Sequence, residues 1–265
     1  MFNIPNLFTA FNMLSGIGAI LLVMIGQVQY APYFIFLGAL FDFFDGFLAR
    51  KLGVTGELGK QLDSFADMIT FGLAPGFIMW NMLILGQHLL QQEQWIDSFT
   101  FNNHQAMNLY IHHLQNQPLN WSILMPFIGF TIPFFSMFRL AKFNLDTRQS
   151  YHFIGLPTPI NAIFFTFFPL FLFHEFPGIH ESGWLFLVHP ILLSALTIVF
   201  SILLVSELPL LALKFKGFGW KNNQVKFIFL ITSVIFIVMI KILAIPLIML
   251  FYFIFSFIEY LETKK

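Results

Sequence analysis

Apolar runs about as long as a bilayer is thick recur along the whole chain, and they restrict the folds open to it more than any other feature. A helix crossing the hydrocarbon layer needs roughly 20 mostly apolar residues. Such runs are read at about 8–26, 31–51, 58–85, 121–141, 157–175, 184–205, 225–242 and 245–261. With no water at membrane depth, a backbone that satisfies its own hydrogen bonds is a helix or a closed barrel, and runs of this length call for helices. Composition agrees: 58% of the 265 residues are hydrophobic and 10% charged, against about 25% charged in soluble domains. The expectation is an all-α integral membrane protein of about eight transmembrane helices, forming one transmembrane domain over residues 1–265. The last two runs are parted only by Ala244–Pro246 and read as a tight hairpin. Pro126, Pro133 and Pro169 fall inside spans, where kinks are tolerated if neighbours satisfy the freed carbonyls.

The positive charges test this count. Eight spans put Arg50, Lys51, Lys60, Arg139, Lys142, Arg148, Lys214, Lys216, Lys221, Lys226, Lys264 and Lys265 on one side and Lys241 alone on the other. That asymmetry makes the richer side cytoplasmic, with both termini on it. The polar insert 86–120, free of Lys and Arg, then lies outside and reads as a solvated loop. Its His88, His104, His112 and His113 match no zinc spacing. His152, His174, His180 and His189 sit near span ends, as interfacial residues do. Net charge is zero, so no pull toward nucleic acid is implied, and with no cysteine, thiol chemistry and disulfides are excluded. The segment MFNIPNLFTAFN lacks the basic stretch of a cleavable signal peptide.

Against this background Asp42, Asp45, Asp63 and Asp67 stand out, in the pattern D-x2-D-G-x2-A-R-x8-G-x3-D-x3-D. Asp42, Asp45, Gly46, Ala49 and Arg50 share one helical face; Gly59, Asp63 and Asp67 share another. Two helices joined by a turn at Gly53–Gly56 can aim all four carboxylates at one point. Each ionised carboxylate raises the pKa of its neighbours, so such a group calls for a divalent metal held by hard oxygen ligands. Asp42 precedes Arg50 by eight residues and Asp67 follows Gly59 by eight, which places both about 12 Å from the cytoplasmic helix ends at 1.5 Å per residue. A lipid phosphate can meet a water-soluble molecule at that depth. Two clamped metals suit displacement at phosphorus, and the planar fork of Arg50 suits a phosphate. Gly46, Ala49 and Gly59 serve close helix packing or leave room for a flat group such as a nucleobase. An ion path lined by acids accounts for the aspartates but not for the linked Gly, Ala and Arg.

The stretch resembles the signature of the CDP-alcohol phosphatidyltransferase family at all eight fixed positions. The resemblance implies a helical bundle that moves a phosphatidyl group from a CDP-linked lipid to an alcohol and releases CMP, with two Mg²⁺ or Mn²⁺ ions. It implies that Asp42, Asp45, Asp63 and Asp67 bind metal and that Asp67 is also the base. PNLFTAFN resembles the family's P-N-x-x-T element, which assigns Asn6 and Thr9 to the nucleotide with Gly46, Ala49, Arg50 and Gly59; Thr9 could instead cap the first span. Relatives often carry Ser six residues after the motif Arg. Gly56 stands there with Thr55 beside it, so a hydroxyl contact is lost or shifted to Thr55. LDSFADMITFGLAP (62–75), RLAKFN (139–144) and FIGLPTP (153–159) resemble the serine-accepting branch. That implies CDP-diacylglycerol and L-serine as substrates, a prokaryotic inner membrane and a homodimer. Arg139, Lys142 and Asn144 are the candidates for holding serine, with Arg148 a further cytoplasmic cation. Lys142 and Arg148 equally suit anionic lipid. Rival readings are an acceptor such as glycerol 3-phosphate or inositol phosphate, and a cation channel or transporter.

Overall fold

A computed structural model describes residues 3–91, 103–145, 153–175, 186–211 and 223–263. Arg148, His152, His180, Lys214, Lys216, Lys221, Lys264, Lys265 and the 92–102 part of the insert lie outside the described residues.

Helix α1 (Ile4–Met24) opens where the Asn3 side chain accepts from the Asn6 amide and Pro5 sets the first turn. Helix α2 (Ala31–Leu52) ends with Arg50 and Lys51 in its last turn, where cations favour the helix dipole, and closes on Gly53 at φ 66°. A left-handed cap of this kind favours glycine. Helix α3 (Glu57–Asp67) passes through a π-helical turn, Met68–Leu73, into α4 (Ala74–Gln91). Helices α5 (Asn103–Asn116) and α6 (Trp121–Leu124) follow, and a 3₁₀ stretch from Met125 to Phe130 carrying Pro126 leads into α7 (Thr131–Leu145). Helix α8 (Thr158–Leu170) contains Pro169 and unwinds into a second π turn, Phe171–Glu175, a common site for one where proline removes a ladder bond. Helix α9 (Pro190–Val205) precedes the final pair, α10 (Gln224–Ile240) and α11 (Ala244–Thr263).

Five stretches are long and apolar enough to cross a bilayer: Ile4–Met24, Val28–Leu52, Glu57–Leu90, Trp121–Leu145 and Gln224–Leu261; Thr158–His174 and Pro190–Val205 are shorter apolar helices. The last long stretch turns back on itself at Lys241–Leu243, with Lys241 at φ 48°, so with the two shorter helices the described residues hold eight apolar helical segments where eight spans were expected. The protein is an all-α membrane protein. Many large apolar side chains face outward, Phe43 at 62% exposure and Met239 at 74% among them, as a lipid-facing surface requires. The centre is α4 against α8, where Ile78, Met82, Leu85, Phe165 and Phe168 are buried.

The insert departs from the loop reading. Its described part contains α5, whose Asn103, Ala106, Met107 and Tyr110 are buried at helical spacing. Tyr110 donates to the Ile123 carbonyl at 2.9 Å, and Asn103 donates to that of Gly26 at 3.0 Å. The apolar content of the segment is low, but its few apolar residues are correctly spaced.

Small residues set how closely the first passages approach. A Cβ on Gly16 would sit 2.5 Å from Thr70 Oγ1, and one on Gly38 would sit 2.5 Å from Thr70 Cγ2. Gly38→Ala and Gly16→Ala are expected to lower the melting temperature in detergent, since overpacking costs about 1–3 kcal/mol. Gly56, with nothing within 4 Å of its added methyl, should accept alanine within about 0.5 kcal/mol. Equal melting temperatures for all three variants would show that the glycine contacts do not set the approach.

Candidate active site

One face of α1 is polar at a spacing of three: Asn6, Thr9 and Asn12. Each meets a different part of the acidic motif. Thr9, buried, donates through its hydroxyl to Asp45 Oδ2 at 2.7 Å. Asn12, wholly buried, donates through Nδ2 to Asp67 Oδ1 at 3.1 Å. Asn6 Oδ1 stands 3.6 Å from where a Cβ on Gly59 would be. The first passage therefore positions acids carried by the second and third.

The two-helix arrangement read from the motif is present. Asp42 from α2 and Asp63 and Asp67 from α3 bring carboxylate oxygens within 4.8 Å of one another. Asp45 is not in that trio; it lies one helical turn along α2, held by Thr9. Two unit charges 4 Å apart repel by about 4 kcal/mol at an effective dielectric of 20, so a trio of ionised carboxylates is untenable without a cation. The donors fit one: all are hard carboxylate oxygens, the set that takes Mg²⁺, Mn²⁺ or Ca²⁺. Asp63 Oδ1 is buried with no hydrogen-bond partner, an orphaned acceptor of the kind an ion would satisfy.

A cleft of about 260 Å³ opens beside the acids, near the low end of the roughly 300–1,000 Å³ typical of small-molecule sites. The six residues that the resemblance assigns to the nucleotide line it, with Asp45, Lys60 and Asp63. The fork of Arg50 lies over Gly46, its Nη1 3.3 Å from where a Cβ would stand. Gly46 thus admits the guanidinium, and Gly56 and Gly59 leave the cleft floor open. Thr55 lines the cleft alongside Gly56.

The residues matched to serine separate. Arg139 is 4% exposed; its Nε donates to the Leu156 carbonyl at 3.2 Å and its guanidinium lies 4.8 Å from the Phe143 ring centroid. No carboxylate among the described residues forms an ion pair with it, and Asp67 lies within its electrostatic reach. The Leu156 carbonyl is presented by a turn that a two-residue antiparallel pair secures, Phe153 opposite Leu210 and Ile154 opposite Pro209. Lys142, by contrast, is engaged by Glu207 at 3.3 Å on the surface. Asn144 donates to Ser64 Oγ at 2.8 Å and accepts from Lys60 through its carbonyl at 2.7 Å, which ties the end of α7 to α3.

Sequence reasoning missed Asn12 and Thr70. The signal for Asn12 was present, since it lies three residues beyond Thr9 on the polar face. Thr70 sits in the π turn, whose shifted register no helical period reports.

Metal loading gives a direct check on the trio. Mn²⁺ at a hundredfold excess over its Kd should stabilise the folded protein by about 2.7 kcal/mol, read as a higher melting temperature that EDTA reverses. Asp42→Asn combined with Asp63→Asn should abolish that rise; a rise that survives would place the ion elsewhere.

Comparison with known proteins follows the same residues. The CDP-alcohol phosphatidyltransferase profile matches residues 2–261. The chain is 30% identical over 178 residues to a CDP-diacylglycerol–serine O-phosphatidyltransferase of Bacillus subtilis, covering 64% of this chain and 79% of that one. It is 29% identical over 175 residues to an archaetidylserine synthase of Methanothermobacter thermautotrophicus, covering 65% of this chain and 60% of that one. A CDP-diacylglycerol–serine O-phosphatidyltransferase of Methanocaldococcus jannaschii is 36% identical over 73 residues, 28% of this chain and 33% of its own length. With its acids gathered from adjoining helices beside an open cleft, and with the family profile running nearly end to end, the chain belongs to the CDP-alcohol phosphatidyltransferase family.

Proposed function

We propose that residues 1–265 form a single catalytic domain that transfers the phosphatidyl group of CDP-diacylglycerol to the hydroxyl of L-serine, giving phosphatidylserine and CMP. The observation that carries this reading is the carboxylate trio Asp42, Asp63 and Asp67, which Asp63 joins to a glycine-floored cleft that Asp45 also lines. The names of the relatives above supply the acceptor. The cytidine and diphosphate of CDP-diacylglycerol would take the cleft, with Arg50 toward the phosphates and Asn6, Thr9, Gly46, Ala49, Thr55, Gly56 and Gly59 around the nucleoside. Asp42, Asp45, Asp63 and Asp67 would hold two Mg²⁺ or Mn²⁺ ions. When bound, those ions would offset the carboxylate charge and stabilise the attacking and leaving oxygens.

The chain's own residues do the rest. Asp67 takes the serine hydroxyl proton as the hydroxyl oxygen bonds to the phosphatidyl phosphorus. The bond from that phosphorus to CMP breaks, and CMP leaves with the electron pair. Arg139 meets the serine carboxylate: it is a buried cation lacking an acidic partner among the described residues, and an uncompensated buried charge is costly. Lys142 and Asn144 form the rim through their links to Glu207 and Ser64. A phosphate-bearing acceptor asks for several convergent cations, whereas one buried arginine suits a single carboxylate. By the charge asymmetry the site faces the cytoplasm with both termini, in a prokaryotic inner membrane, and the insert 86–120 lies outside. A second copy as partner in a homodimer is part of the same reading.

CMP release by purified protein, with CDP-diacylglycerol and a panel of alcohols, tests the assignment. Turnover should require serine and a divalent ion and stop with EDTA. Asp67→Asn should lose roughly 10²–10⁴-fold in kcat, the usual contribution of a positioned base. Equal turnover on glycerol 3-phosphate would reject the acceptor, and an active Asp67→Asn would reject the base.

A further inference from the structure

We propose that Asn12 is a positioning residue for Asp67, fixing which carboxylate oxygen is left for the acceptor's proton. The inference rests on the reading of Asp67 as the base. A carboxylate only accepts hydrogen bonds, so the amide of Asn12 must turn its nitrogen to Asp67, as the 3.1 Å contact from Nδ2 to Oδ1 has it. This is the one hydrogen bond to an Asp67 oxygen among the described residues. Oδ1 carries that bond, which orients the carboxylate and leaves Oδ2 without a hydrogen bond among the described residues.

The position of Asn12 is fixed at both ends. Its backbone carbonyl accepts from Thr70 Oγ1 at 2.8 Å. Thr70 is itself wholly buried between Gly16 and Gly38. Asn12 Oδ1 is buried with no partner, and a Cβ on Gly38 would stand 3.0 Å from it. A buried carbonyl oxygen without a donor is costly. A side chain chosen for packing alone would be apolar here. The amide is retained for what its nitrogen does, and the π turn that brings Thr70 against α1 is part of the same clamp.

The test uses the whole protein in detergent with CDP-diacylglycerol, serine and Mn²⁺. Asn12→Leu keeps the shape and removes the donor. Its kcat should fall about 10²-fold, the cost of a misplaced reacting group. The Mn²⁺ dependence and the KM for CDP-diacylglycerol should stay within about threefold of wild type. The solvent deuterium isotope effect on kcat should rise, because proton removal becomes slower. Thr70→Val, which releases the Asn12 carbonyl, should show the same pattern more weakly, and it carries the test if Asn12→Leu does not fold. Wild-type kcat in both variants would overturn the inference. So would a joint worsening of kcat, KM and melting temperature with an unchanged isotope effect, which is the mark of a merely structural residue. Asp67→Asn separates the two levels: if it is inactive while Asn12→Leu is normal, the base stands and the positioning role falls; if it is active, the base reading itself falls.

Discussion

Carboxylates of like charge do not collect beneath a membrane surface unless something holds them there and something neutralises them. In this protein the holding is done by hydrogen bonds from α1 and by glycines that let the helices meet closely. The Thr9–Asp45 and Asn12–Asp67 bonds stabilise ionised oxygens that would otherwise be left bare in a medium of low dielectric. For neutralisation the donor set is suited to divalent cations. Without neutralisation the acids repel one another, and the cleft loses its chemical end.

The rest of the bundle serves this arrangement. Glycine at positions 16 and 38 lets α1, α2 and the π turn approach to side-chain contact with Thr70. The left-handed cap at Gly53 turns the chain sharply enough for α3 to face α2. The amphipathic α3 lies at the mouth, where the polar Lys60 and Ser64 tie it to Asn144 at the end of α7. Lipid-facing aromatics such as Phe43 and Phe47 occupy the reverse of the α2 face that carries Asp42 and Asp45, so one helix presents hydrocarbon to the bilayer and acid to the interior.

Much of this was legible in the residues. The eight apolar segments follow from run length, and the hairpin at Lys241 from the break at Ala244–Pro246. The convergence of Asp42, Asp63 and Asp67 follows from helical period plus a short turn, because such periodicity is local and survives folding. What escaped was non-local or irregular. Asn12 was passed over because its partner lies 55 residues away, and Thr9 was read as a nucleotide contact or a cap without its bond to Asp45. The π turns at Met68–Leu73 and Phe171–Glu175 break the period on which sequence reading relies. Helix α5 hid in a segment too polar to read as a span, since its burial is against the bundle and not in lipid. The differing engagement of Arg139 and Lys142 depended on tertiary partners, Leu156 and Glu207, that no spacing announces.

The central claim is that Asp42, Asp63 and Asp67 enclose a divalent cation. Anomalous diffraction from crystals grown with Mn²⁺ examines it most directly. The account predicts a peak within coordination distance of all three carboxylates, on the side open to the cleft. Anomalous density confined to other parts of the protein, or none at all at saturating Mn²⁺, would contradict it.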